Sequence, residues 1–389
     1  MRLPVRRLTL GITALAAATL LAAVCGSSPS QATLASTTPG TGGGWSAGSA
    51  TAVAETSPAT TPTTKSAGTS SAVVRISAVG DTMLGDTPDL PPDPREYLDS
   101  VDSALKGRAQ VVFGNLEGTL TDVSSGKCGG HNGGDCFAFR DPPHYARYLA
   151  ADGFTVLNDA NNHSHDFGQA GLDQTIHAIH KVGMKQTGLP GEVTVVKAGA
   201  VKVAFVAFAP YPNTADLLDL STASALIHRA RREARIVVVY MHAGAEGADA
   251  DHVTGHEEFY VGEDRGNPEK FAHMAIRSGA SLVIASGPHV VRGMEFYHHH
   301  LIAYSLGNFA NYHNFSGGGI LSESAILHVS LTSTGVFKSA QLIPVELDGA
   351  GHPTLGGGTV GLIRRLSKED FGAARAHFST NGGISAPTG

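Results

Sequence analysis

Short apolar runs rich in β-branched residues recur through most of this chain, and many are separated by stretches with helical patterning. Eight runs have the length and composition of buried strands: Val73–Val79, Val111–Phe113, Thr155–Leu157, Val201–Ala209, Ile236–Tyr240, Leu282–Ile284, Leu301–Tyr304 and Ala325–Leu331. The helical stretches are Pro143–Ala151, Gly171–Val182, Ala223–Glu233 and Pro268–Ser278. Because alternating strands and helices form largely parallel sheets covered by helices, this pattern predicts one α/β domain over residues 73–350.

Clusters of polar residues follow several of these runs. They are Gly80-Asp81, Gly114–Gly118 with Glu117, Asn161-Asn162-His163 with Asp166 close behind, Tyr240–Glu246, and Ser286–Gly293. Each cluster alone is explained by a turn or a helix cap, and the Asn161–His163 cluster by an Asx-rich turn. In open α/β sheets, however, ligands bind beyond the carboxyl ends of the strands. Five such clusters on successive strands therefore predict one shared site.

The residue types in these clusters favour metal or anion chemistry. His242 directly follows a strand, which is the position of a metal ligand, and Glu246 is placed to orient it. Arg292 follows His289 in the last cluster and is placed to meet an anion. Asn308 ends a further strand and can line the same pocket.

The first 32 residues are typical of an export signal. Arg2, Arg6 and Arg7 precede an uncharged apolar stretch from Leu8 to Val24. A retained membrane anchor is the competing interpretation, because 17 residues is at the lower limit for a span. Cys25 lies in a sequence that resembles a bacterial lipobox, while cleavage after Ala32 is the alternative. The chain is thus expected to be an exported bacterial protein, either lipid-anchored or secreted.

Residues 33–72 are Ser, Thr, Gly, Ala and Pro with almost no large apolar side chains, which predicts a disordered linker. Loss of the signal removes three Arg and no acidic residue, so the mature net charge is about −9. Such a charge argues against nucleic acid as a partner. Beyond residue 350, a Gly-rich link is expected to lead to a helix near Lys368–His377 and a flexible tail to residue 389.

Only two cysteines follow Cys25, and they close a Gly-rich loop. In an exported protein, Cys128 and Cys136 predict a disulfide. The rival interpretation is a zinc site that also uses His131. The sequence contains neither a Gly-x-Ser-x-Gly elbow nor a Walker-type loop.

Six motifs in order resemble the CapA family of capsule-synthesis proteins linked to bacterial poly-γ-glutamate. They are Gly-Asp-Thr-Met-Leu-Gly, Asn-Leu-Glu-Gly, Asn-Asn-His-Ser-x-Asp-Phe-Gly, His-Ala-Gly-x-Glu, Gly-Pro-His-Val and Tyr-Ser-Leu-Gly-Asn-Phe. The match runs from about Val74 to about Val345. This family is similar to the calcineurin-like metallophosphoesterases, so the resemblance implies a four-layer α/β sandwich of the metallo-dependent phosphatase type.

The resemblance also implies roles for individual residues. The metal ligands would be Asp81, Glu117, Asn162, His242 and His289. His163 would be the acid or electrostatic stabiliser beside the metal, with Asp166 holding its loop. The implied cofactor is a divalent metal, namely Mn, Fe, Zn or Mg.

Two positions depart from the phosphoesterase pattern. Met83 stands where the first motif usually has His, and Gly287 stands where the last motif has the first of two His. About four or five ligands remain, enough for one ion or a weak pair.

Three functions are compatible with these residues. The first is an exported metal-dependent hydrolase or transferase-like enzyme acting on a poly-γ-glutamate type or related wall polymer. The second is a non-catalytic polymer-binding or export-complex subunit on a degenerate phosphoesterase scaffold, and the third is a plain phosphoesterase. The expected partners are an anionic polymer and a membrane synthesis complex.

Overall fold

The computed structural model describes residues 72–129, 136–314 and 318–387. The predicted signal, Cys25, the linker up to residue 71 and His131 lie outside the described residues. No described helix is long and apolar enough to cross a membrane.

The described part of the chain contains twenty strands and six α-helices. The strands are β1 (Val73–Met83), β2 (Val111–Leu116), β3 (Thr119–Leu120), β4 (Arg140–Asp141), β5 (Val156–Asn158), β6 (Lys185–Thr187), β7 (Thr194–Ala198), β8 (Val201–Phe208), β9 (Ile236–His242), β10 (Phe259–Tyr260), β11 (Glu263–Asp264), β12 (Leu282–Ser286), β13 (Met294–Tyr297), β14 (His300–Ala303), β15 (Asn308–Asn311), β16 (Glu323–Thr332), β17 (Phe337–Leu347), β18 (Pro353–Leu355), β19 (His377–Phe378) and β20 (Gly383–Ser385). The helices are α1 (Asp99–Lys106), α2 (Ala146–Ala151), α3 (Gly168–Lys181), α4 (Leu220–Glu233), α5 (Pro268–Arg277) and α6 (Thr359–Phe371). Short 3₁₀ helices cover Pro143–Tyr145, Gly319–Ser322 and Gly372–Ala374.

Two large sheets form the centre of the domain. The first has the order β19-β20-β17-β16-β1-β2-β5-β6, with β15 added to β1 and β18 to β17. The second has the order β13-β14-β12-β9-β8-β7. In both sheets the strands that carry the polar clusters have parallel neighbours, while antiparallel pairs lie toward the edges.

The sheets pack face to face, and helices cover both outer faces. One core joins the inner faces of β1, β2, β8, β9 and β12, where the rings of Phe113 and Phe205 stack at 5.5 Å. A second core packs α4 and α5 on the outer face of the second sheet, and a third packs α1, α2 and α3 on the first. These four layers confirm the predicted four-layer α/β sandwich, because each strand alternates its apolar residues between an inner and an outer core.

All eight apolar runs form strands over most or all of their length, but the C-terminal region differs from its expectation. The helix begins at Thr359, before the predicted segment, and its buried face includes Ile363 and Leu366. The residues after it form β19 and β20 in place of a flexible tail, because β20 pairs with β17 and Ile384 is buried there. The short β20 has too few apolar residues to be recognised from sequence.

The predicted disulfide between Cys128 and Cys136 is present, with a Cα–Cα distance of 5.7 Å. It closes a loop that follows β3. Both sulfur atoms are therefore used, and the zinc alternative has no cysteine ligand.

Gly80 allows β1 to approach the segment before β15 closely. A Cβ at residue 80 would lie 1.9 Å from the carbonyl oxygen of Gly307, which also accepts a hydrogen bond from Asp81 N at 3.0 Å.

We expect Gly80→Ala to lower the free energy of unfolding by about 2–3 kcal/mol, because the backbone must shift. Gly361→Ala is the control, because Gly361 is an exposed position of α6 where a Cβ would meet nothing within 4 Å. This substitution should leave the free energy of unfolding unchanged or raise it slightly. Denaturant unfolding of both variants tests this, and equal stability would contradict it.

Asp152, which ends α2, makes stability depend on pH. Burial raises its pKa most and the negative charge of Asp102 adds to this, giving a pKa of about 7. The unfolded chain releases this proton near pH 4, so the folded state loses stability as pH rises from about 4 to about 7.

We expect Asp152→Asn to be more stable than the wild type at pH 8 by about 2–3 kcal/mol, with the difference vanishing near pH 4. Denaturant unfolding across this pH range measures it, and a difference that stays constant with pH would rule the effect out.

Candidate metal centre

Strand register brings the predicted polar clusters to one edge of the two sheets. Asp81 of β1 is paired with Asn115 of β2 on one side and with Asn308 of β15 on the other. In the second sheet, His242 of β9 is paired with Ser286 of β12. The Ser286 hydroxyl donates a hydrogen bond to Asp81 Oδ1 and so joins the two sheets at this edge.

Asn115 lies at the centre of the polar network. Its amide nitrogen donates to Asp81 Oδ1 at 2.8 Å and also to Glu117 Oε2. Its amide oxygen accepts from Asn158 at 2.6 Å and from Asn161 at 3.0 Å. The network fixes the two buried carboxylates next to each other.

Asp81, Glu117 and His242 form a group with the donors of a metal site. One ligand atom from each lies within 4.8 Å of the others, and all three residues are buried. Glu117 Oε1 and His242 Nε2 lie 3.7 Å apart, and neither has a hydrogen-bond partner among the described residues. Two carboxylates and an imidazole, with buried lone pairs left open, fit a divalent cation.

The electrostatics of the three residues also favour a cation between them. Burial raises the pKa of Glu117 well above its usual value, and repulsion from Asp81 adds to the rise. Burial lowers the pKa of His242 well below its usual value, so the ring is neutral, as a metal ligand must be. For Asp81, burial alone would raise the pKa, but the hydrogen bond and the positive charge of His289 lower it overall.

His289, a predicted metal ligand, lies beside this group as a charged imidazole. Its Nδ1 is 2.9 Å from Asn308 Oδ1 and 3.2 Å from Asp81 Oδ2, and its Nε2 is 3.6 Å from Glu246 Oε2. Burial alone would lower its pKa, but the contact with Asp81 and the charges of Glu246, Asp81 and Glu117 raise it to about 9. Glu246 therefore contacts His289, whereas the sequence analysis placed it against His242.

His163 is oriented by Asp166. The Nδ1 of His163 is 2.8 Å from Asp166 Oδ2, and its ring packs on Phe139 with 4.5 Å between centroids. Asp166 also accepts from Phe139 N at 2.7 Å and contacts Lys127 Nζ at 2.7 Å. Both His163 and Asp166 are buried, so this pair is rigidly held.

Asn162 precedes His163 and is half-buried. Its Oδ1 is buried and has no hydrogen-bond partner in the described ranges, as expected of an amide oxygen kept for a ligand. Asn161 has a structural role, because its side chain bonds Asn115 Oδ1, Leu116 O and His163 N.

Arg292, predicted to meet an anion, has its donors occupied by protein. Its guanidinium forms two bonds with Glu258, at 2.7 and 3.0 Å, and further bonds with the carbonyls of Ala245 and Ala250. A fully buried guanidinium with these partners fastens the 245–258 loop to the segment before β13, and we assign it no anion.

Residues 75–313 match the family described as bacterial capsule synthesis protein PGA_cap. This match covers more than half of the chain. The chain belongs to this family. The CapA resemblance of the six motifs is thus confirmed.

Two curated relatives carry related descriptions. The PGA biosynthesis protein CapA of Bacillus subtilis (strain 168) is 28% identical over 243 residues, which cover 56% of this chain and 58% of that protein. The capsule biosynthesis protein CapA of Bacillus anthracis is 28% identical over 177 residues, which cover 40% of each chain. The alignments thus span about half the length of these relatives.

Among solved structures, a putative 5'-nucleotidase from Staphylococcus aureus in complex with alpha-ketoglutarate has a TM-score of 0.39 at 14% identity, covering 76% of this chain and 58% of that one. A 5'-nucleotidase precursor from Thermus thermophilus has a TM-score of 0.41 at 12% identity, covering 72% of this chain and 56% of that one.

Gly287 and Met83, the two departures from the phosphoesterase pattern, both lie in surroundings that suit the residue present. Gly287 has a φ of +117°, and a Cβ there would lie 3.1 Å from Ala243 N and 3.3 Å from the His242 ring. A histidine is therefore incompatible with the backbone at residue 287. Met83 is buried, and its sulfur lies 3.9 Å from Asn314 Nδ2.

Several residues of the site were not singled out from the sequence. Asn115 and Ser286 lie within the quoted clusters, but nothing in their spacing shows that both bond Asp81. Arg265 follows the β10–β11 hairpin, far along the chain from most of the site, and bonds Glu246 Oε1 at 2.6 Å. A loop arginine carries no periodic signal, so only the folded chain reveals it.

We expect His242→Ala and Glu117→Gln each to weaken Mn²⁺ or Zn²⁺ binding at least about tenfold, because each removes one of three open ligand atoms. Isothermal titration of metal into the EDTA-treated protein measures this. His298→Ala is the matched control, since His298 lies exposed at the β13–β14 turn and should leave metal affinity unchanged. Unaltered metal binding in both site variants would exclude this group as the metal centre.

Proposed function

We propose that this chain is an exported, metal-dependent hydrolase or transferase of capsule or cell-wall polymer synthesis, acting on a polymer of the poly-γ-glutamate type. The observation that carries the proposal is the group of buried, open ligand atoms on Asp81, Glu117 and His242 in a PGA_cap domain. The Cys128–Cys136 disulfide supports an exported location, because disulfides persist in oxidising compartments.

Different residues of the site have different chemical roles in this proposal. Asp81, Glu117 and His242 would hold a divalent cation, which would supply Lewis-acid chemistry by polarising a carbonyl or phosphoryl oxygen and activating a water. His163, with Nδ1 bonded to Asp166, presents Nε2 to the reacting group and supplies a proton or stabilises developing negative charge. His289 holds positive charge beside Asp81 and offsets the negative charge of an anionic polymer.

A second function has a specific observation in its favour. Gly287 and Met83 stand where the phosphoesterase pattern has imidazoles, and the φ of +117° at Gly287 strains any side chain placed there. The alternative is a non-catalytic subunit that binds the polymer at the cell surface within a membrane synthesis complex.

Assays of the mature protein separate these functions. With Mn²⁺, we expect release of glutamyl fragments from poly-γ-glutamate, loss of this activity in EDTA, and a drop of about 100-fold or more in His163→Asn. His298→Ala serves again as the control and should retain full activity.

The other outcomes have equally definite meanings. Polymer binding without turnover, unchanged by His163→Asn, would replace the enzymatic proposal with the binding subunit. Turnover of a phosphate ester but not of the polymer would identify a phosphoesterase.

A further inference from the structure

Arg265 is a buried cation whose hydrogen-bonding capacity is only partly used. Its side chain is 1% exposed, and Nη1 contacts Glu246 Oε1 at 2.6 Å. Nε and Nη2 are buried and have no hydrogen-bond partner anywhere in residues 72–129, 136–314 and 318–387. A buried guanidinium with two open donors is costly, since each unmade bond loses the full desolvation energy of its group.

The two open donors form one edge of the guanidinium plane. Nε–H and the adjacent Nη2–H point in parallel, with a spacing that matches two oxygens of one carboxylate or phosphoryl group. Nη1 is on the other side and is held by Glu246. The free edge is therefore the one that binds an oxyanion through two bonds.

Arg292 provides a comparison within the same loop region. All three of its nitrogens have protein acceptors, including both oxygens of Glu258. Among the described residues there is thus one saturated buried guanidinium and one with an open edge. A structural role explains Arg292, whereas the same role leaves two donors of Arg265 unexplained.

Arg265 is linked to the candidate metal centre by short contacts. Glu246 joins Arg265 Nη1, at 2.6 Å from Oε1, to His289 Nε2, at 3.6 Å from Oε2. His289 Nδ1 is in turn 3.2 Å from Asp81 Oδ2. Arg265 therefore belongs to the polar network that surrounds the candidate metal centre.

Tyr211 covers the guanidinium. The centroid of its ring is 5.7 Å from Arg265 Cζ, and its hydroxyl donates to Glu263 Oε2 at 3.2 Å in an exposed hydrogen bond. An anion that reaches the guanidinium from this side must displace the Tyr211 ring and break this one exposed hydrogen bond.

We propose that Nε and Nη2 of Arg265 bind one anionic group of the ligand, a carboxylate or a phosphoryl group, which reaches them when Tyr211 moves. That this group belongs to the polymer rests on the proposed function, since poly-γ-glutamate carries one free carboxylate on each residue. Anion binding itself requires neither catalysis nor a metal.

Anion titration of the mature protein tests this proposal. Inorganic phosphate and glutarate are titrated separately into EDTA-treated and Mn²⁺-loaded samples, so that the two arms distinguish a phosphoryl from a carboxylate ligand. We expect one of the anions to bind, Arg265→Met to weaken it about 10- to 100-fold, and Arg265→Lys to weaken it as well, because an ammonium lacks the two-donor edge.

Arg229→Met is the control. Arg229 lies on the exposed face of α4, where it pairs with Glu233, and the change should leave anion affinity unaltered. Equal anion affinity in the wild type and Arg265→Met, or no binding of either anion by the wild type, would overturn the proposal.

Wild-type crystals grown with each anion keep the test valid if the Arg265 variants fail to fold. An anion within hydrogen-bond distance of Nε and Nη2 supports the assignment, and an anion bound only elsewhere refutes it. Arg265-dependent anion binding in a protein without metal affinity or turnover would uphold this inference while the proposed enzymatic function fails.

Discussion

The amide of Asn115 holds two carboxylates together where water cannot separate them, and the rest of the site depends on this pair of hydrogen bonds. By donating to both Asp81 and Glu117, it fixes acids that repel each other inside a buried edge of two sheets. The repulsion and the burial together hold the pKa of Glu117 far above its usual value. A cation would relieve both, which is why the open atoms of Glu117 and His242 beside Asp81 favour a metal centre here.

The two-sheet architecture makes that arrangement possible. Asp81 and Asn115 end strands of the first sheet, whereas His242 and Ser286 end strands of the second. Because the inner core packs the sheets with their carboxyl ends at the same edge, ligands separated by more than 100 residues in sequence come within bonding range. The departures at Met83 and Gly287 change the number of imidazoles at this edge but leave the three-residue group intact.

The strands of the fold are predictable from the sequence because their signal is local and repeated. The runs at Val73–Val79 and Ile236–Tyr240 are long enough for their apolar character to predict strands, and the four-layer arrangement came from the family resemblance. Positions after strands, together with that resemblance, also predicted Asp81, Glu117 and His242 as ligands. From the sequence, Glu246 was expected to contact His242 and Arg292 to bind an anion, whereas the structure has Glu246 on His289 and Arg292 on Glu258. Such side-chain partners depend on the paths of loops, which hydrophobic periodicity does not encode. Arg265 shows this limit too, since its contacts with Glu246 and Tyr211 exist only after the 245–265 loop has folded back.

The disulfide lies directly beside the residues that orient His163. Cys128 directly follows Lys127, whose backbone N bonds Asp166 O at 2.7 Å and whose ammonium contacts both Asp166 Oδ1 and Asn162 O. Asp166 in turn orients His163. A chain with reduced thiols would keep these Lys127 contacts but would lack the covalent link that begins at the next residue. Oxidation of the two thiols therefore restricts the segment that carries Lys127, and with it the surroundings of the Asp166–His163 pair.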